Sequence, residues 1–108
     1  MELKVKTVAG TQESGDVMVI ISPNPEKGLE VQLNSKVFSI FGKAIEKTVR
    51  EVLEEFDVNE AVVEIHDMGA LDYVIRARMQ CAICRSAKIQ YDWRREKGEG
   101  RRERFNVQ

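Results

Sequence analysis

The sequence predicts an α+β fold: a small mixed sheet, made of a β-hairpin and a βαβ unit, packed by two helices and followed by a mobile charged C-terminal tail. Three observations carry that reading. Val17–Ile21 and Ala61–Ile65 are rich in β-branched residues and bounded by turn formers, as buried strands are. Leu29–Leu33 alternates apolar and polar strictly, as a half-buried strand does. Between the last two runs, and again after them, apolar residues recur at helical spacing. At 108 residues the chain is sized for one compact domain.

Residues 2–8 alternate briefly and predict a short edge strand. Ala9–Asp16 holds two glycines and two hydroxyls but no large apolar side chain, which is loop composition. Val17–Ile21 then reads as a central strand buried on both faces. Ser22–Gly28 carries Pro23, Pro25 and Gly28 and reverses the chain, so Leu29–Leu33 is expected to pair with Val17–Ile21 as an antiparallel hairpin, burying Leu29, Val31 and Leu33. Asn34 or Ser35 can cap the helix that follows. Its apolar positions are Val37, Phe38, Ile40, Phe41, Ala44, Ile45, Val49, Val52, Leu53 and Phe56, with Gly42 the weak point at about 1 kcal/mol relative to alanine. Ala61–Ile65 returns through that helix and should lie parallel to Leu29–Leu33. Asp67-Met68-Gly69 breaks the run, after which Leu71, Val74, Ile75, Met79, Ala82 and Ile83 mark one face of a second helix. Both helices can cover one sheet face.

From Lys88 onward the character changes. Arg94–Arg104 contains no apolar residue, and residues 85–108 carry +4 against −5 for residues 1–84. Residues 88–108 are therefore read as a solvated extension, since no aromatic interleaves the basic run as a nucleic-acid arm requires. Overall, 17 basic and 18 acidic residues give a net charge of −1, which provides no field for a nucleic-acid backbone or an anionic bilayer. The longest apolar run, Val17–Ile21, is too short to span a membrane, and the first residues lack the pattern of an export signal. A soluble cytoplasmic protein is expected.

Few residues offer chemistry. Cys81 and Cys84 are spaced as a metal or redox pair, but one histidine and no second cysteine pair leave a closed zinc site short of ligands. They also fall well inside the second helix, away from the N-terminus where a helix dipole would activate a thiol. His66, beside Asp67, is the one near-neutral base and has no nucleophile in view. The glycines fit no phosphate-binding loop. What remains is Ser14 in Glu13-Ser14-Gly15-Asp16, on an exposed loop before a buried strand. A hydroxyl without a base is a poor nucleophile, yet it is a serviceable attachment point when another enzyme supplies the activation.

Val8–Val19, Val-Ala-Gly-Thr-Gln-Glu-Ser-Gly-Asp-Val-Met-Val, closely resembles the N-terminal signature of the citrate lyase acyl carrier protein family, the gamma subunit of citrate lyase. Gly69–Arg78 looks like the same family's distal motif at the expected separation, and the resemblance spans roughly residues 1–86 before fading in the tail. It implies an acyl carrier domain over residues 1–87 that is itself no enzyme. Ser14 matches the family serine esterified to phosphoribosyl-dephospho-CoA, with Glu13, Gly15 and Asp16 as recognition or positioning residues. The implied partners are an acyl transferase (alpha) subunit, a citryl lyase (beta) subunit and the transferase that installs the group, with no nucleic acid, membrane or metal. Tyr73 stands where many relatives have cysteine, and Lys36–Ile40 is more apolar than usual there. The malonate decarboxylase carrier is the nearest alternative, separated by the distal motif. An α/β binding module with Ser14 unmodified, or a small enzyme using His66 and Asp67, would be readings of other classes. Arg76 and Arg78 lie about 200° apart on a helix and cannot both face one phosphate, so salt-bridged or solvated arginines are expected.

Overall fold

The computed structural model describes residues 1–35, 38–91 and 105–107. The elements are β1 (Thr7–Gly10), β2 (Val17–Ser22), β3 (Leu29–Ser35), α1 (Phe38–Glu55), β4 (Ala61–Asp67), α2 (Asp72–Ala87), β5 (Ile89–Tyr91) and β6 (Phe105–Val107). The first four strands form a mixed sheet in the order β1-β2-β4-β3. This is the predicted α+β class, with the predicted βαβ unit: β3 and β4 are parallel and joined through α1.

The hairpin is a different one from that expected. β2 does not pair with β3, because β4 lies between them, antiparallel to β2 and parallel to β3. The sheet's hairpin is β1–β2, in register Thr7 with Ile21 and Gly10 with Met18. Insertion of β4 gives its apolar run a strand on each side, which a β2–β3 hairpin would deny it. The edge strand also starts later than the pattern suggests and takes Ala9 and Gly10 from the expected loop. Residues 4 and 5 turn away from the sheet: the Lys4 and Val5 N–H groups donate to the Ser86 carbonyl, at 2.8 and 3.2 Å.

One sheet face makes the core. Val17, Val19 and Ile21 of β2 lie opposite Asp67, Ile65 and Val63 of β4, and all six are buried. Val49, Val52 and Leu53 of α1 and Ile75, Met79 and Ile83 of α2 complete it, with α1 over β3 and α2 over β1 and β2. The alternate residues Met18, Ile20, Val62, Glu64 and His66 share the other face and are only half-buried, so β2 is not sealed on both sides as expected. β3 is an outer strand, which leaves Leu29 exposed and Val31 and Leu33 half-buried.

Helix α1 begins at Phe38 and encloses Gly42, which is buried. Its buried stripe starts at Ile45, whereas Ile40 and Phe41 are 73% and 52% exposed. At 100° per residue Ile40 points away from the stripe, while Phe41 is in line with it but uncovered. Asn34 and Ser35 belong to β3, where the Ser35 hydroxyl donates to Asp67 Oδ2 at 2.9 Å, and the capping expectation meets Lys36 and Val37 outside the described residues. The expectation of a mobile tail falls largely on residues 92–104, also outside the described residues; on either side of them β5 and β6 pair antiparallel. No helix among the described residues is long and apolar enough to cross a membrane.

Candidate functional site

Ser14 lies in the turn between β1 and β2. The Asp16 N–H donates to the Glu13 carbonyl at 3.0 Å, closing a four-residue turn with Ser14 and Gly15 at its centre. Gly15 sits at φ +85°, the left-handed position that the third residue of a type II turn requires, and a Cβ there would meet nothing within 4 Å. Ser14 is exposed. The turn is nonetheless tied down: the Gly15 N–H donates to the Met68 carbonyl at 2.8 Å and the Met68 N–H to the Asp16 carbonyl at 2.9 Å. These two bonds continue the β2–β4 ladder beyond Val17 and Asp67.

Asp16 organises the rest. Its carboxylate accepts from the Thr11 N–H at 3.1 Å, the Thr11 hydroxyl at 2.7 Å and the Val17 N–H at 2.7 Å. Arg78 of α2 donates to both oxygens, Nε to Oδ1 at 3.1 Å and Nη2 to Oδ2 at 2.9 Å. That two-pronged guanidinium contact, seconded by Thr11 and Val17 and opposed by partial burial, holds the Asp16 carboxyl well below the usual carboxylate range. Gly10 makes the approach possible: at φ +89°, a Cβ would lie 1.9 Å from the Val17 carbonyl oxygen and 3.1 Å from Arg78 Cδ. Asp16 thus bonds the turn to Thr11, Val17 and α2, whereas the Glu13 side chain is exposed and its backbone closes the turn.

The Asp16–Arg78 pair spans 62 residues and joins the two segments that the sequence singled out separately. Local spacing could not show it; the signal present was an acidic residue in one segment and a basic residue in the other. Arg76 diverges from Arg78 as helical geometry requires, donating to Asp72 Oδ2 at 2.8 Å and to Glu51 Oε1 at 2.5 Å, and so ties α2 to α1. Thr48 first, and then Arg76, lowers the pKa of Asp72.

The other candidates come apart. His66 and Asp67 are neighbours on β4 and therefore face opposite sides of the sheet. His66 Nε2 lies 2.6 Å from Glu64 Oε2, while buried Asp67 accepts from Ser35 Oγ and from the Ala70 N–H at 3.0 Å. They cannot act as a dyad. Cys81 and Cys84 are free and half-buried, and burial pushes the Cys84 thiol up to about 11. Among the described residues no group of three or more His, Cys, Asp or Glu could hold a metal ion.

Comparison with known proteins places the whole fold, the Ser14 turn included, among acyl carriers. The family described as ACP, malonate decarboxylase delta subunit (MdcD), matches residues 4–86. The citrate lyase acyl carrier protein of Klebsiella pneumoniae is 46% identical over 86% of this chain and 97% of that protein. Those of Clostridium perfringens and Streptococcus mutans are each 43% identical, over 86% and 87% of this chain and 93% of each relative. A chain in the crystal structure of a Pseudomonas malonate decarboxylase hetero-tetramer in complex with malonate superposes with a TM-score of 0.56 and 25% identity, covering 74% of this chain and 81% of that one. The matched stretch includes the Ser14 turn and Gly69–Arg78 alike, so the separation of the two kinds of carrier rests on the named relatives rather than on the distal segment alone.

Proposed function

This chain belongs to the citrate lyase acyl carrier protein family, and on that premise we propose that Ser14 is the esterification site of a phosphoribosyl-dephospho-CoA group. The observation that supports it is an exposed serine at the apex of a turn whose every flank is bonded to the fold. The open space around Gly15 admits a bulky group and an approaching enzyme. The Asp16 carboxylate that positions the turn is engaged by Arg78, Thr11 and Val17 and held well below the usual carboxylate range, which makes it a poor base, so the modifying enzyme must remove the Ser14 proton. When bound, the group would supply a thiol on which acetyl and citryl are carried as thioesters between a transferase subunit and a lyase subunit. The chain's own part is to hold the attachment oxygen in a fixed place while presenting it to those partners, and it contributes no catalytic residue. Tethering makes delivery intramolecular, at effective concentrations that reach about 1 mM for a short flexible link.

Intact mass with fragment mapping of the protein from its native host tests this. A large adduct containing phosphorus and sulfur on Ser14 is the expected result, and an unmodified chain in cells fermenting citrate would overturn it. Ser14→Ala should keep the fold and abolish support of citrate cleavage in the assembled complex. The malonate decarboxylase likeness favours a second reading, in which the same arm carries malonyl; the acyl mass on the adduct separates the two.

A further inference from the structure

Beside the Ser14 turn lies an open cleft of about 430 Å³, within the range of small-ligand sites. Phe41, Ala44 and Ile45 of α1 form one wall, and Ala70, Leu71 and Ile75 form the other. Gly69 is at its rim, one residue from Met68, whose carbonyl holds Gly15. The cleft and the Ser14 turn thus share the end of β4 as a common border.

Leu71 shows that this surface is not left over from folding. It is the N-cap of α2, with no side-chain capping bond, and it is 62% exposed. A serine there could accept from a first-turn N–H through its side chain, in addition to the bonds that the Leu71 carbonyl already takes from Val74 and Ile75, and would strengthen the helix. Leucine at this position gives up that bond and places apolar surface in water. Phe41 across the cleft is aligned with the buried stripe of α1 and also uncovered. Both departures from local rules meet on one cavity, as they do where a surface serves binding. The cleft also carries Asp67 and Asp72, and two carboxylates disfavour the phosphates of the arm while leaving its neutral end welcome.

Resting on the assignment of Ser14 as the attachment point, we infer that the cleft between α1 and α2 is the docking site for the neutral pantetheine end of this chain's own arm, holding the thiol against Phe41 and Leu71 between deliveries. The tether makes a weak site sufficient: at about 1 mM effective concentration, a dissociation constant of about 0.1 mM docks about nine arms in ten.

The test is the rate at which iodoacetamide alkylates the arm thiol of the loaded protein, with fragment mapping to exclude Cys81 and Cys84, against free dephospho-coenzyme A. Protection of about tenfold is expected, the value for a population docked nine times in ten. Ala44→Phe, which fills the cleft from an exposed position, and Leu71→Ser, which makes its rim polar while adding a neutral cap, should each restore the free rate. Leu71→Ser should also keep or raise the melting temperature, which separates a lost docking site from a damaged fold. An arm thiol that reacts as fast as free dephospho-coenzyme A overturns the inference while leaving the Ser14 assignment intact. So does protection untouched by both variants, or protection that appears only with a partner subunit present, which would give the cleft to that subunit. A chain lacking any Ser14 adduct removes the assignment beneath it.

Discussion

Replacing Asp16 by asparagine isolates what the Asp16–Arg78 pair does for the turn. Asparagine keeps one acceptor oxygen, which can still serve Val17 N–H and Arg78 Nε, but turns an amide donor toward the Thr11 N–H and Arg78 Nη2. Hydrogen bonds to a charged group are worth about 1.5–3 kcal/mol each. Arg78 is 40% exposed and water compensates part of its loss, so the net cost is about 2 kcal/mol. With a urea slope of about 1.3 kcal/mol per molar, the unfolding midpoint should fall by about 1.5 M at pH 7. The acid dependence carries a second check. The folded carboxyl titrates below its unfolded value of about 3.9, so its stabilisation is fully present above about pH 5 and is lost as pH falls through 4 toward the folded pKa. The gap between wild type and variant should therefore close on acidification. Equal midpoints at pH 7, or a gap that persists unchanged at pH 2, would refute the reasoning.

Gly10→Ala should cost far more than Gly15→Ala, because only the first meets a backbone oxygen at 1.9 Å; about 1 kcal/mol is expected for Gly15 and at least about 3 kcal/mol for Gly10, read from thermal unfolding. Cys84, with its thiol pushed up to about 11, should resist a brief alkylation at pH 8 in the folded protein and react once urea is added; rapid labelling in the native state would contradict its burial. Leu53→Ala, a fully buried position of α1, should destabilise the fold by about 2–5 kcal/mol in urea titration without altering the exposure of Ser14.

Strands β2, β3 and β4 and both helices were legible because their patterns are local: one period of two, another of 3.6. Pairing was not. Ser22–Gly28 looks like a hairpin turn, and nothing within Val17–Leu33 reveals that a strand beginning 28 residues on, at Ala61, inserts between its two halves. Periodicity also overcounted the core. It assigned Ile40, Phe41 and Leu71 to buried faces, since spacing marks an apolar side chain without saying whether anything covers it. In the site, Ser14 and its neighbours were readable from the turn composition and the resemblance, while the role of Asp16 depended on a partner 62 residues away.

The Ser14 turn hangs from β4, an inner strand, and from the end where β4 stops and α2 starts. The turn at Pro23–Gly28 lies at the other end of the same sheet, roughly 17 Å away for a six-residue strand rising about 3.3 Å per residue. On the attachment proposed at Ser14, the molecule would have a working pole and an idle one, and a turn bonded to β4 would add little slack of its own to the radius that the group sweeps. Any subunit that reacts with the group would then have to reach the working pole. A tag or fluorophore at Asn24–Lys27 would ride on the idle pole, clear of that traffic, and report on assembly without entering it.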